Sequence, residues 1–285
     1  MPSFPGRMRI SGPREGVPVV LEPGLGASSV GWSGLHALLA ELTTVVSYDR
    51  AGLGSSEPVP GRRDLAALAA DLAQVIGTVG GGPVLIVGHS LGGTIARQLA
   101  SVRPELVAGL VLIDPIPDRW VLRHAYWAGP PGALLYLAMQ ASAHIGLMDR
   151  LTALPLGRAI VRSSTSPLAA LTDAEREQLA DEMRRPLHHR TARAEFTGLL
   201  GSRAQLRALA ARPQTAPITV ISGSRTHRLA RRLRLAATAW HAQLAEAGRH
   251  VVVPDGDHFI PRYQPEIVCD AVAELLPRCE PLARP

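Results

Sequence analysis

Short runs of aliphatic residues recur along the chain, and longer segments with helical periodicity separate them. The runs rich in β-branched residues lie at positions 17–22, 43–48, 84–88, 109–114, 217–222 and 250–254. Their hydrophobicity is continuous rather than alternating, which is typical of strands covered on both faces in a parallel sheet. Between them, residues 64–76 and 265–276 repeat apolar positions three and four apart, as amphipathic helices do. The alternation predicts an α/β fold with a doubly wound, mostly parallel sheet.

The alternation of strands and helices stops between Pro115 and about Arg212, where only helical patterns are found. A helical insertion of this length between two strands predicts a lid over the carboxyl edge of the sheet. We therefore expect residues 1–115 and 213–285 to form the α/β core and residues 116–212 to form a helical lid.

Composition narrows the partners that the protein can have. The chain has 285 residues, of which 46% are hydrophobic, so a sizeable core is available. All thirty basic residues are Arg, a usage typical of GC-rich bacterial genes, and the net charge is +6. These Arg residues are scattered and accompany no recognition module, so no nucleic-acid partner is expected. A small-molecule substrate is the better prediction, and the oligomeric state stays open.

Neither the cysteines nor the most apolar segment indicates a metal, a cofactor or a membrane. The two Cys, at 269 and 279, make neither a disulfide framework nor a metal site. No charged segment followed by an apolar one opens the chain, so a signal peptide is not expected. The most apolar span, 131–148, contains Gln140, His144 and two glycines, which argues against a membrane span. We expect a cytoplasmic protein without metal or cofactor.

One serine stands at a point where a predicted strand turns abruptly into a helix. Residues 88–92 read Gly-His-Ser-Leu-Gly and fit the motif G-x-S-x-G in the strand–turn–helix context that the motif requires. The turn is sharp, so small neighbours are needed, and the helix directs its first amides at Ser90. Ser90 is therefore the predicted nucleophile.

Four segments together resemble the α/β-hydrolase family, in its lid-bearing serine branch, over nearly the whole chain. Residues 22–32 are similar to the oxyanion loop of the family, and residues 48–56 to its Asp-Arg-x-Gly-x-Gly-x-Ser loop. Residues 88–93 look like its nucleophile elbow, and residues 253–268 like its histidine loop and final helix. Asp49 and Arg50, within the second segment, are assigned to loop structure.

The resemblance implies which groups surround Ser90. The backbone N–H groups of Leu25 and Leu91 are expected to form the oxyanion hole, although Pro23 replaces a His that the family often has. His258 lies after the last predicted strand and before the final helix, where the family keeps its general base. His258 is therefore the predicted base among ten histidines.

The carboxylate of the predicted triad is not where the family usually carries it, after the penultimate strand. That position holds Thr226, and no Asp or Glu occurs from 223 to 245. Asp114 ends the strand after the nucleophile helix, and neighbouring strand ends lie about 5 Å apart. Some family members keep their acid there, so Asp114 is predicted to orient His258. An acid that merely ends the strand is the alternative reading, and Glu22 is a second candidate.

Serine chemistry at this position implies acyl transfer, and excludes the family branches that attack with Asp, the dehalogenases and epoxide hydrolases. The residues predicted to bind substrate are aromatic and lie in the lid: Trp120, Tyr126, Trp127 and Tyr136. They favour a hydrophobic carboxylic ester, although they could equally form the core of the lid. Two alternatives stay open: C–C hydrolysis, lyase or cofactor-free perhydrolase chemistry at the same site, and a non-catalytic binding protein.

Overall fold

A computed structural model describes residues 6–147, 150, 154–155, 170–225, 235–236, 238–246 and 248–279. The described residues form one sheet with seven strands. The strands are β1 Met8–Ser11, β2 Val19–Glu22, β3 Val45–Tyr48, β4 Val84–His89, β5 Val107–Ile113, β6 Ile218–Gly223 and β7 Arg249–Val253. Each of the six predicted runs overlaps one strand, β2 to β7.

The strand order in the sheet is β1-β3-β2-β4-β5-β6-β7. Only β1 is antiparallel, pairing with β3, while the other strands run parallel to one another. The sequence analysis did not predict β1. Its four residues are partly exposed at the sheet edge and carry no long aliphatic run, so the signal of a strand buried on both faces is missing.

Helices cover both faces of the sheet. They are α1 Ser33–Leu39, α2 Leu65–Thr78, α3 Leu91–Val102, α4 Asp118–His144, α5 Asp173–Arg184, α6 Pro186–Gly201, α7 Arg203–Ala211, α8 Ile260–Tyr263 and α9 Pro265–Leu275. One buried cluster joins α2 and α3 to one face of the sheet, and a second joins α1 and α9 to the other. The doubly wound α/β architecture predicted from the sequence is confirmed.

The described residues between β5 and β6 are helical and contain no strand, with α4 to α7 as their main elements. Helix α4 contains Pro130 and Pro131 in its interior. None of the described helices combines the length and the apolar character that crossing a membrane needs. Cys269 and Cys279 are both free thiols.

Candidate active site

Ser90 lies between β4 and α3, in a backbone conformation that few residues adopt. Its φ is 53° and its ψ is −115°, a positive-φ conformation that is energetically costly for any residue with a side chain. The turn is also crowded, because a Cβ added at Gly92 would lie 2.2 Å from the carbonyl oxygen of Glu22. This strained, close-packed turn is the one that the motif predicts, with Ser90 immediately before the first residue of α3.

The register of the sheet brings Asp114 beside Ser90. His89 of β4 is paired with Ile113 of β5, so Ser90 and Asp114 both follow directly at the same carboxyl edge. The N–H of Ser90 donates to the carbonyl of Ile113 at 2.9 Å, which ties the elbow to β5. Asp114 is only 4% exposed and has a φ of 43°, so its backbone leaves the strand sharply.

His258 follows β7 and contacts Asp114 directly. Its Nδ1 lies 2.5 Å from Oδ2 of Asp114. The Asp114 side chain is almost fully buried, whereas 41% of the His258 side chain is exposed. A carboxylate at Nδ1 keeps the proton on that nitrogen and leaves Nε2 as the ring nitrogen that can accept one. The predicted pairing of His258 with Asp114 is therefore present in the structure.

The loop after β6 supports the histidine loop by two hydrogen bonds. The N–H of Asp255 donates to Oγ of Ser224 at 3.0 Å, and the N–H of Arg225 donates to the carbonyl of Gly256 at 2.9 Å. Thr226, at the position where the family usually has its acid, lies outside the described residues.

His89 packs directly against His258. The two rings have centroids 4.6 Å apart, and the Nε2–H of His89 donates to the carbonyl of His258 at 2.7 Å. Burial, with a smaller effect from His258, lowers the pKa of His89 to about 3. His89 therefore stays neutral at physiological pH and supports the histidine loop through its hydrogen bond to the carbonyl of His258.

Ser90 and His258 line the same cavity, whose volume is about 270 Å³. Its other lining residues are mostly apolar: Pro23, Gly24, Leu25, Ala27, Ser28, Gly31, Trp32, His89, Phe259, Pro261 and Arg262. Leu25 of the predicted oxyanion loop lies in this wall. Leu91 is the first residue of α3, and the first amides of a helix have no acceptor within it. The positive end of α3 thus lies at the serine, where an oxyanion would develop.

The sequence analysis did not name Trp32, Phe259, Pro261 and Arg262, which are the larger side chains among the unpredicted cavity residues. All four lie inside the two motifs quoted for the oxyanion and histidine loops, so the signal was their position next to predicted site residues. The predicted substrate-binding residue Tyr136 packs against Phe196 of α6, with ring centroids 5.6 Å apart, and does not line this cavity.

Three of the four predicted substrate-binding side chains lie outside the described residues, namely those of Trp120, Tyr126 and Trp127.

The alternative acid, Glu22, is fully buried and bonded to Arg50 and to the hydroxyl of Tyr48. Burial raises its pKa to about 7. Among the described residues, no group of His, Cys, Asp and Glu could hold a metal ion.

The family is decided by a match that covers most of the chain. Residues 19–271 match the model of the family described as "Alpha/beta hydrolase family". The chain belongs to this family. The described architecture agrees, since the alpha/beta hydrolase fold carries its nucleophile at a strand–turn–helix elbow, where this chain carries Ser90.

The sequence similarity to individual relatives covers only part of this alpha/beta hydrolase. The protein named "Putative carbamate hydrolase RutD" from Klebsiella pneumoniae subsp. pneumoniae is 39% identical over 104 residues, which is 36% of this chain and 39% of the relative. The chain thus spans well under two thirds of that relative's length.

Two solved structures cover nearly the whole fold. The epoxide hydrolase CorEH is 22% identical with a TM-score of 0.71, covering 96% of both chains. A thermophilic esterase from Thermogutta terrifontis is 22% identical with a TM-score of 0.63, covering 96% of this chain and 93% of its own. Both likenesses establish the fold.

Proposed function

We propose that this alpha/beta hydrolase is a serine hydrolase that cleaves carboxylic esters of hydrophobic small molecules through an acyl-enzyme on Ser90. The observation that carries the proposal is the placement of Ser90 and His258 in one cavity, with Asp114 bonded to the far nitrogen of His258. Each of the three side chains then has a defined role in acyl transfer.

In the proposed reaction, Nε2 of His258 accepts the proton of the Ser90 hydroxyl as Oγ attacks the ester carbonyl. The carbonyl oxygen becomes an oxyanion, which the N–H groups of Leu25 and Leu91 stabilise. Collapse of this intermediate expels the alkoxide, which takes the proton from His258, and leaves an acyl group on Ser90. Water, deprotonated by His258, then attacks the acyl group and releases the acid.

The cavity wall supports a hydrophobic acyl group of modest size. Leu25, Trp32, Phe259 and Pro261 are apolar, and the volume of about 270 Å³ is close to the lower end of typical ligand sites. We further propose that residues 1–115 and 213–285 form the catalytic core and that residues 116–212, which include α4 to α7, act as its lid. Trp120, Tyr126, Trp127 and Tyr136 remain the lid residues proposed to contact larger substrates.

A fluorophosphonate probe and a substrate panel test the function. The probe phosphonylates an activated serine, so stoichiometric labelling of Ser90 is expected, and a non-catalytic binding protein would stay unlabelled. The panel contains p-nitrophenyl esters of increasing chain length, an aryl carbamate and a vinylogous diketone. Fastest turnover of a short or medium ester supports the proposal. If the diketone is turned over fastest, C–C hydrolysis is favoured. If the carbamate is turned over fastest, carbamate hydrolysis, the activity named for the relative RutD, is favoured.

Replacing Asp114 with Asn is expected to lower kcat by about 10²- to 10⁴-fold with little change in KM. An amide at Nδ1 cannot stabilise the imidazolium that forms as His258 accepts the proton, and it can hold the wrong tautomer. Steady-state kinetics on the best ester measures both constants.

A matched control for this substitution is Asp255→Asn, in the same histidine loop as His258. Asp255 is exposed and also has a positive φ, of 54°, which Asn tolerates. Turnover by Asp255→Asn should stay at the wild-type level, and Thr226→Ala should likewise be nearly silent. If Asp114→Asn were as active as these controls, Asp114 would merely end its strand.

A further inference from the structure

The first turn of the oxyanion loop, residues 23–26, is held by a buried arginine. The guanidinium of Arg50 donates from Nη1 to the carbonyl of Pro23 at 2.7 Å and from Nη2 to the carbonyl of Gly24 at 2.6 Å. In a trans peptide group the C=O and the N–H point in opposite directions. The C=O of Gly24 and the N–H of Leu25 belong to the same peptide group. Arg50 therefore fixes the direction in which the proposed oxyanion donor points.

Arg50 is itself held by a carboxylate from the helical insertion. Glu195 of α6 accepts from Nε of Arg50 at 2.7 Å and from Nη2 at 2.8 Å, in a two-pronged contact. Both side chains are completely buried. Burial disfavours the charge on Glu195, yet Arg50 overcomes this effect and lowers the pKa of Glu195 below its usual value. Glu195 and Arg50 thus form an ionised pair at neutral pH.

Glu195 also contacts the oxyanion loop directly. Its Oε2 accepts a hydrogen bond from the N–H of Gly26 at 3.0 Å. One carboxylate therefore fixes the peptide group that follows Leu25, and through Arg50 it fixes the peptide group that precedes it.

Helix α6 also packs closely against the oxyanion loop. Gly26 has a φ of +61°, and a Cβ added there would lie 2.8 Å from the Cβ of Ala192. Ala192 lies one helical turn before Glu195, so both residues face the same loop. Helix α6 therefore contacts the oxyanion loop by van der Waals packing as well as by the hydrogen bond between Gly26 and Glu195.

We propose that Glu195 is a positioning residue for catalysis, through which helix α6 of the insertion holds the oxyanion loop and aims the N–H of Leu25 at the developing oxyanion. The inference rests on the proposed function for its effect on rate, but the holding of the loop is a property of the resting protein. Because these contacts hold α6 against the oxyanion loop, any opening of the proposed lid would have to occur in another part of the insertion.

Glu195→Gln tests the proposal with minimal change of shape. Oε1 of Glu195 accepts from Nε of Arg50, while Oε2 accepts from Nη2 of Arg50 and from the N–H of Gly26. A Gln amide has one acceptor oxygen and no charge, so it cannot accept at both positions and leaves the buried guanidinium of Arg50 unneutralised. We expect kcat for the best ester to fall by about 10- to 100-fold, with KM changed by less than about threefold, because a slightly misplaced donor acts mainly in the transition state. A trifluoromethyl ketone, which forms an oxyanion on Ser90, should lose affinity in parallel with kcat/KM.

The matched control is Asp118→Asn. Asp118 of α4 forms a second fully buried ion pair between the insertion and the core, with Arg97 of α3 at 2.8 Å, but does not touch the oxyanion loop. Both substitutions are expected to lower the melting temperature. Only Glu195→Gln should lower kcat and the affinity for the ketone at a temperature where both variants are folded.

Ala192→Val provides a second variant in case Glu195→Gln does not fold. It leaves every charge in place and adds two methyl groups against Gly26, so it too should lower kcat more than KM. Amide hydrogen exchange gives a readout that needs no turnover. The amide of Gly26 should exchange faster in Glu195→Gln than in the wild type, and should be unchanged in Asp118→Asn.

The outcomes separate this proposal from the proposed function. If the wild type hydrolyses esters, and folded Glu195→Gln and Ala192→Val keep its kcat and ketone affinity, Glu195 is a structural residue only and the proposal is wrong. If the wild type shows neither turnover nor labelling, the proposed function fails. Exchange at Gly26 then still decides whether Glu195 holds the loop: unchanged exchange in Glu195→Gln overturns the proposal.

Discussion

Replacing Ser90 with Ala is expected to lower kcat for the best ester by about 10³- to 10⁶-fold while the fold is kept. The substitution removes only Oγ, so the Cβ that the strained turn already accommodates remains in place. Without the nucleophile no acyl-enzyme can form, and the remaining rate would come from substrate binding and the oxyanion hole acting on water. Steady-state kinetics, probe labelling and circular dichroism of the variant together measure this prediction.

Ser28 offers a matched control because it is a second serine in the wall of the same cavity. Ser28 is 3% exposed, so it is as buried as Ser90 at 9%. Ser28→Ala should keep labelling of Ser90 at wild-type stoichiometry and kcat within about threefold, since Ser28 lies outside the strained elbow. Substantial ester turnover by Ser90→Ala would instead show that the reaction does not pass through this serine.

Replacing His258 with Ala is expected to have an effect of comparable size, about 10³- to 10⁶-fold in kcat, and to abolish labelling of Ser90 at neutral pH. An unassisted serine hydroxyl is a poor nucleophile because its proton has no acceptor. His89, although adjacent, cannot substitute for His258. Its Nε2–H is already donated to the carbonyl of residue 258, and its pKa of about 3 makes it a very weak base.

A second histidine of the same segment controls for loss of an imidazole near the site. His250 of β7 bonds to Ser222 at 3.0 Å and does not line the cavity. His250→Ala should label at close to the wild-type rate. Labelling of His258→Ala at that same rate would mean that another group activates Ser90, and the assignment of the base would have to be abandoned.

The sequence by itself determined six of the seven described strands and the position of the elbow that carries Ser90. Strands β2 to β6 are buried and overlap continuous aliphatic runs, because a strand covered on both faces needs apolar residues at most positions. Strand β7 also overlaps such a run, although it is partly exposed at the sheet edge. The elbow was equally local, since its crowded turn requires glycines two residues before and two residues after Ser90. His258 was found because its loop lies between the last strand and the last helix, an order that the linear sequence shows. The family itself followed from these motifs.

Only the tertiary structure decided which groups meet across the sheet edge. The sequence reduced the choice of carboxylate to Asp114, with Glu22 as the second candidate. In the fold, the register of β4 against β5 places Asp114 beside Ser90, and His258 contacts it there, while Glu22 bonds to Arg50. Arg50 looked like a loop residue, because its partner Glu195 is 145 positions away. A contact between distant segments depends on how the helices pack and on which buried charges neutralise one another. Neither the helix packing nor the pairing of buried charges appears in a local sequence pattern. The contacts of Arg50 and Glu195 with the oxyanion loop could therefore be recognised only in the folded chain.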